Sequence, residues 1–156
     1  MKTVLISAVI AVMALGGTAQ DYQLDETSIP TFEVGVIMGV PTGFSAKYWM
    51  NERTALDAGI ALNLLADESV EFYGDYLFNV AAPEVEGGRL PIYLGLGPTF
   101  GVADEDFSFG GRVPFGAQYL IPNGRLTFFA EIAPIVEFVP ESDFEVSGGG
   151  GVRLAF

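Results

Sequence analysis

From residue 31 onward the chain alternates apolar and polar positions with a period of two, and no stretch there repeats with a helical period. Such alternation predicts strands. Eight segments carry it, at roughly 31–40, 44–50, 55–64, 70–78, 90–100, 109–121, 126–138 and 144–156. They average about ten residues, long for ordinary strands and the length a tilted strand needs to cross a bilayer. One face of every segment is apolar, as in Phe32, Val34, Val36, Met38 and Val40, or Phe128, Ala130, Ile132, Pro134 and Val136. The opposite face holds every strand charge: Glu33, Lys47, Asp57, Glu71, Asp75, Arg112, Glu131, Glu137, Glu145 and Arg153. Between these charges lie Gly, Ala, Ser, Thr and Asn.

A soluble barrel would turn the apolar face inward, and a membrane barrel would turn it outward to lipid. Three features favour the second. Gly35, Gly59, Gly95, Gly97, Gly116, Gly149 and Gly151 all share the charged face, and small residues suit the narrow interior of an eight-stranded barrel. That face, rich in Gly and Ala and poor in Lys, would make a poor soluble surface. The aromatic residues also sort by height. Phe44, Phe100, Phe109, Phe138 and Phe144 fall near one rim, and Phe32, Phe78, Tyr119, Phe128 and Phe156 near the other. Val36, Ile60, Leu94, Val113, Ile132 and Val146 lie between, giving two girdles around an aliphatic band. The expected fold is an all-β, eight-stranded, antiparallel up-and-down transmembrane barrel over 31–156.

The first residues read as an address. A Met1-Lys2-Thr3 start, an apolar run from Val4 to Leu15 and a small-residue stretch ending at Ala19 form a secretory signal peptide over 1–19. The run is too short to span a bilayer, which needs about twenty residues. Residues 20–30 form a polar leader. The formal charge is −13, from 7 basic and 20 acidic residues, so no nucleic-acid partner is expected. There is no Cys and no His. Disulfides, thiolate metal sites and the usual nucleophile–base pairs are therefore excluded, and neither catalysis nor a cofactor is expected.

These features together resemble the small eight-stranded outer-membrane β-barrels of the OmpA-transmembrane-domain, OmpX and OmpW kind, over about residues 31–156. Val152, Leu154 and the terminal Phe156 resemble the C-terminal signal that the outer-membrane assembly machinery reads in that family. The resemblance implies an outer-membrane location. It also implies lipids, the barrel-assembly machinery and periplasmic chaperones as partners, and a monomer. The loops on one rim are shorter than is typical of the family, and no match to the OmpW ligand pocket is present.

The Asn123-Gly124 pair predicts a two-residue hairpin with Ile121 opposite Leu126. Pro41-Thr42-Gly43 predicts a three-residue loop, and 79–89 one longer lower connection. The upper connections are acidic, with Asp67, Glu68, Asp104, Glu105, Asp106, Glu141 and Asp143. Carboxylates suit divalent cations, but no loop has an EF-hand pattern and no dedicated metal site is expected. The lower rim carries Arg53, Arg89 and Arg125 beside Glu52, Glu84 and Glu86. Within the lumen, strand register is expected to place Glu137 opposite Glu145 with Arg112 on the diagonal. Glu131 is expected diagonal to Arg153 with Glu33 near, and Lys47 diagonal to Asp57. Internal ion pairs of this kind plug the barrel and leave a structural or surface role. The alternatives are a narrow, cation-leaning channel gated by exchange of those pairs, and a surface-binding protein with little loop area.

Overall fold

The computed structural model describes residues 31–40, 42–63, 69–103, 106–121 and 125–156. The signal peptide, the leader, the acids Asp67, Glu68, Asp104 and Glu105, and the Asn123-Gly124 turn lie outside the described residues. Every described element is a strand: β1 Phe32–Val40, β2 Thr42–Trp49, β3 Thr54–Asn63, β4 Ser69–Ala81, β5 Glu84–Val85, β6 Gly88–Arg89, β7 Ile92–Ala103, β8 Asp106–Arg112, β9 Phe115–Leu120, β10 Leu126–Val139 and β11 Asp143–Ala155. All pairings are antiparallel, and β11 pairs with both β10 and β1, which closes the wall.

The eleven elements make eight wall strands because proline interrupts them. β8 and β9 follow one register against β10 (Ile135↔Arg112, Ile132↔Phe115) and one against β7. They are a single wall strand, the expected 109–121 segment, broken at Val113-Pro114. Pro114 has no N–H to offer the ladder, although its carbonyl still accepts from Gly95 N at 2.8 Å. The expected 90–100 strand likewise begins after Pro91 and runs on to Ala103. Ahead of it, the long lower connection folds into the β5–β6 hairpin, with Gly87 at φ 86° supplying the left-handed turn position.

Two registers differ from expectation. Gly43 sits in the wall facing Ile37 and Ala61, and Thr42 is bonded to Gly39, so Thr42 and Gly43, expected in a loop with Pro41, belong to β2, while Pro41 lies outside the described residues. Glycine is needed there because a Cβ would come within 2.0 Å of the Ile60 carbonyl oxygen. The last hairpin closes two residues tighter than expected and pairs Glu137 with Asp143. The β9–β10 register, Leu120↔Thr127, is the one that places Ile121 opposite Leu126.

Carrying the facing pairs round the wall from Val34 leads through Ala46, Ala58, Gly111 and Val136 to Phe144 on β11. Val34 itself faces Leu154. The wall therefore closes with a stagger of ten residues (154 − 144), which tilts the strands by about 35–45°.

The barrel is turned inside out relative to a soluble one. Met38, Phe44, Ile60, Phe78, Leu96, Ile132, Val146 and Leu154 project outward and are exposed. Glu33, Lys47, Asp57, Asp75, Arg112, Glu131 and Arg153 project inward and are buried. Burying charge on the axis while exposing hydrocarbon would be ruinous in water. The order of cost reverses when the outer surface meets lipid.

Candidate functional site: the charged lumen

Inward positions on neighbouring strands form one row: Glu33 faces Lys47, Lys47 faces Asp57, and Asp57 faces Asp75. The ion pairs do not follow this row. Arg153 and Arg112 reach past their neighbouring strands to Asp57 and Asp75, and Arg112 also reaches down the adjacent β10 to Glu131, because in so narrow a barrel inward side chains of different strands converge. Arg112 from β8 pairs with Glu131 of β10 and, at 3.3 Å, with Asp75 of β4. Tyr93 OH donates to the other Glu131 oxygen at 2.8 Å. Arg153 of β11 pairs with Asp57 of β3 at 2.7 Å and donates to Ser45 Oγ at 2.9 Å from Nε. Ser45 Oγ in turn donates to Asp57 at 3.2 Å. Lys47 Nζ donates to Gln118 Oε1 at 2.8 Å, and Thr127 Oγ1 donates to Glu33 Oε1 at 3.0 Å.

Several expected pairings are thereby corrected. Arg112 serves Asp75 and Glu131 and not Glu137. Arg153 serves Asp57 and not Glu131. Lys47 and Asp57 are direct cross-strand partners and not diagonal ones, yet the ammonium bonds Gln118. Glu145 faces Ile135, and although it has inward parity it is exposed. Glu71 is half-buried and accepts from Thr99 Oγ1 at 2.7 Å. Glu71, Glu137 and Glu145 lie near the upper ends of β4, β10 and β11, above the plug and outside its ion pairs.

The plug also contains aromatic residues that the reading of charges passes over. Trp49, Tyr73, Tyr93 and Phe129 all point inward and are buried. Each cation lies over a ring. Lys47 Nζ is 4.3 Å from the Trp49 centroid, and the guanidinium carbons of Arg112 and Arg153 lie 4.0 Å from Tyr73 and 3.8 Å from Phe129. Such stacking stabilises a desolvated cation. The inner glycines make room for the rings. A Cβ on Gly59 would lie 2.3 Å from Tyr73, one on Gly116 2.6 Å from Tyr93, and one on Gly151 2.6 Å from Phe129. The signal was present in the sequence as bulky residues at inward parity with glycine on neighbouring strands.

Trp49, Ala55, Leu77 and Tyr93, from β2, β3, β4 and β7, form a buried apolar cluster against one side of the plug, with Lys47 Nζ over the Trp49 and Tyr93 rings. Above the charges is a cavity with room for about one water, lined by Ile37, Ala61, Tyr73, Arg112, Glu131 and Ser147. The plug holds Glu33, Asp57, Asp75 and Glu131 against Lys47, Arg112 and Arg153, so its charge is nearly balanced.

On the acidic rim, Asp106 opens β8 and Asp143 opens β11, and both are exposed, as is Glu141. The Asp143 carboxylate accepts the Phe144 N–H at 2.8 Å. Among the described residues no group of three or more acidic side chains is arranged to hold a metal ion. At the C-terminus, Leu154 and Phe156 are exposed on the outer face with Val152 half-buried beside them, and Phe156 N donates to Phe32 O at 2.8 Å.

No family model matches the sequence, and no curated protein matches it. The fold is similar to that of the crystal structure of the N-terminal β-barrel domain of Pseudomonas aeruginosa OprF, with a TM-score of 0.65 and 14% sequence identity over 80% of this chain and 96% of that one. At that identity the likeness is one of fold, and the fold this chain shares is that of a closed, eight-stranded, antiparallel barrel.

Proposed function

We propose that the chain is an integral outer-membrane β-barrel with a mainly structural and surface role, its lumen closed by the charged plug. One observation carries this: hydrocarbon side chains cover the outside while seven Asp, Glu, Lys and Arg side chains are buried around the axis. Only a surrounding of lipid makes that arrangement stable. The OprF-like fold supports the same location. An envelope role also fits the address-like first nineteen residues, with the assembly machinery and periplasmic chaperones as partners during biogenesis and lipids thereafter.

The closed lumen is supported by cations that are both ion-paired or hydrogen-bonded and ring-stacked, and by the apolar cluster packed beside them. A cation-leaning channel would need all of these layers to part together. The acids at the upper mouth would favour cations at that end, but the polar groups below them are held in hydrogen bonds, Lys47 to Gln118 and Thr127 to Glu33. Enzymatic chemistry has no support, since the inward carboxylates are held in ion pairs or hydrogen bonds, or lie apart at the mouth.

The test is refolding into detergent and then into lipid vesicles. The folded barrel is expected to migrate differently on gels before and after boiling, to resist alkaline extraction from vesicles, and to leave planar bilayers electrically silent. Protein that washes off vesicles would reject the membrane reading. Discrete conductance steps from vesicle-inserted protein would reject the closed lumen while keeping the membrane reading.

A further inference from the structure

The wall of this barrel is not equally tall all round. β1 and β2 contain 9 and 8 residues, whereas β10 and β11 contain 14 and 13. The lower rim is level, because Phe32 faces Tyr48 and Tyr119 faces Phe128 in one aromatic belt that continues to Phe78 and Phe156. The difference therefore falls at the upper rim. β1 ends where Val40 faces Gly148, yet β11 continues upward to Asp143, paired on its other side with β10 as far as Glu137. The upper part of β11 thus stands above the β1–β2 hairpin as one side of a notch. Its depth is about 10 Å, from the five residues of β11 between Gly148 and the strand start at the usual rise and tilt.

Two independent features fix what can fill the notch. First, the segment from Asp143 to Ser147 has a strand neighbour on the β10 side and none on the β1 side among the described residues. Backbone polar groups without a strand partner cannot stay in hydrocarbon. Second, Glu145 is exposed despite its inward parity, because no β1 residue rises far enough to cover it. A second copy offering the same β11 edge would set Glu145 and Asp143 against their own counterparts, and like charges placed so repel. Tilting the barrel to level its top would drag the lower aromatic belt out of its interface. On the tall wall, by contrast, Phe100, Phe107, Phe109 and Phe138 form a chain of rings with centroids 5.1–6.3 Å apart, and these mark the upper interface on that side.

We infer that the upper leaflet is locally thinned at the β1–β2 notch, where lipid headgroups and water descend to the level of Val40 and Gly148. The occupant is lipid with its headgroups drawn down and its chains shortened or splayed, so the barrel carries a built-in local defect in one leaflet. This rests on the membrane reading given above.

The chain has no Cys, so single nitroxide labels report without background. Val146→Cys places a label within the notch, and Phe100→Cys places one at about the same height on the opposite wall. Ile132→Cys marks mid-membrane. The labelled proteins are reconstituted in dioleoylphosphatidylcholine vesicles. The Val146 label is expected to show a several-fold higher accessibility to a water-soluble nickel chelate, relative to oxygen, than the Phe100 label. Equal, oxygen-rich environments at the two positions would overturn the inference. A chelate-exposed Ile132 label would overturn the membrane reading instead, and the inference with it. Should Val146→Cys not fold, Val40→Cys carries the same test: a label at headgroup depth supports thinning, and one in hydrocarbon overturns it.

Discussion

Arg112 holds two carboxylates, Asp75 and Glu131, and stacks on Tyr73, all out of contact with solvent. Removing it as Arg112→Ala leaves two buried acids without a cation, a loss of about 3–5 kcal/mol. Denaturant titration in detergent micelles should show that loss. It should be largely recovered in Arg112→Met with Asp75→Asn and Glu131→Gln, where no unpaired charge remains. A triple variant as unstable as Arg112→Ala would show that packing on Tyr73, and not charge, dominates. Gly151 tests the other half of the plug. A Cβ there meets the Val36 carbonyl oxygen at 2.1 Å as well as the Phe129 ring, so the strand itself must shift. Gly151→Ala is expected to cost about 1–3 kcal/mol, measured the same way. The charged members of the plug were legible in the sequence because parity alone assigns a face to Glu33 or Arg153. Trp49, Tyr73, Tyr93 and Phe129 share that inward parity, but parity alone does not show that their rings stack on the cations. The pairings were illegible for a different reason. Register gives neighbours along the wall, whereas Arg153 finds Asp57 and Lys47 finds Gln118 across the lumen.

At the scale of elements, period-two alternation located all eight wall strands, and what it missed was governed by proline. Pro91 and Pro114 interrupt strands whose side-chain alternation continues unbroken through them, so the pattern cannot register a lost ladder bond. The β5–β6 hairpin was read only as a longer connection because two-residue strands carry no period. It is held on β9 by the Arg89↔Leu120 pairing and by Tyr119 OH, which donates to Gly87 O at 2.7 Å. That bond is exposed, so its loss in Tyr119→Phe should cost only about 0.5–1 kcal/mol, and the cost should be local. Limited proteolysis within residues 84–89 is expected to speed up while boil-sensitive gel mobility stays unchanged. A simultaneous loss of that mobility would mean that the hairpin supports barrel closure and is not merely an extension of the β4–β7 connection.

For the whole molecule, the decisive property is the direction in which the barrel is turned, and one substitution can interrogate it. Ile132 projects outward near mid-height and is 55% exposed. On a soluble barrel, replacing an exposed apolar residue by Arg would be neutral or would help solubility. In a bilayer the same charge would sit in hydrocarbon, at a cost of about 2–4 kcal/mol near the midplane. Ala133, the next residue, faces the lumen and is fully buried, yet it sits beside Ser147, whose hydroxyl donates to the Ala133 carbonyl at 3.2 Å. A second hydroxyl in Ala133→Ser has polar company there and should change stability by about 1 kcal/mol or less. The ranking expected from vesicle-refolded protein in urea is therefore Ile132→Arg far below both Ala133→Ser and the unaltered chain. This reverses the rule that buried positions are sensitive and exposed positions tolerant. The reverse ranking, with Ile132→Arg harmless and Ala133→Ser damaging, would mean that the outer face of this barrel meets water.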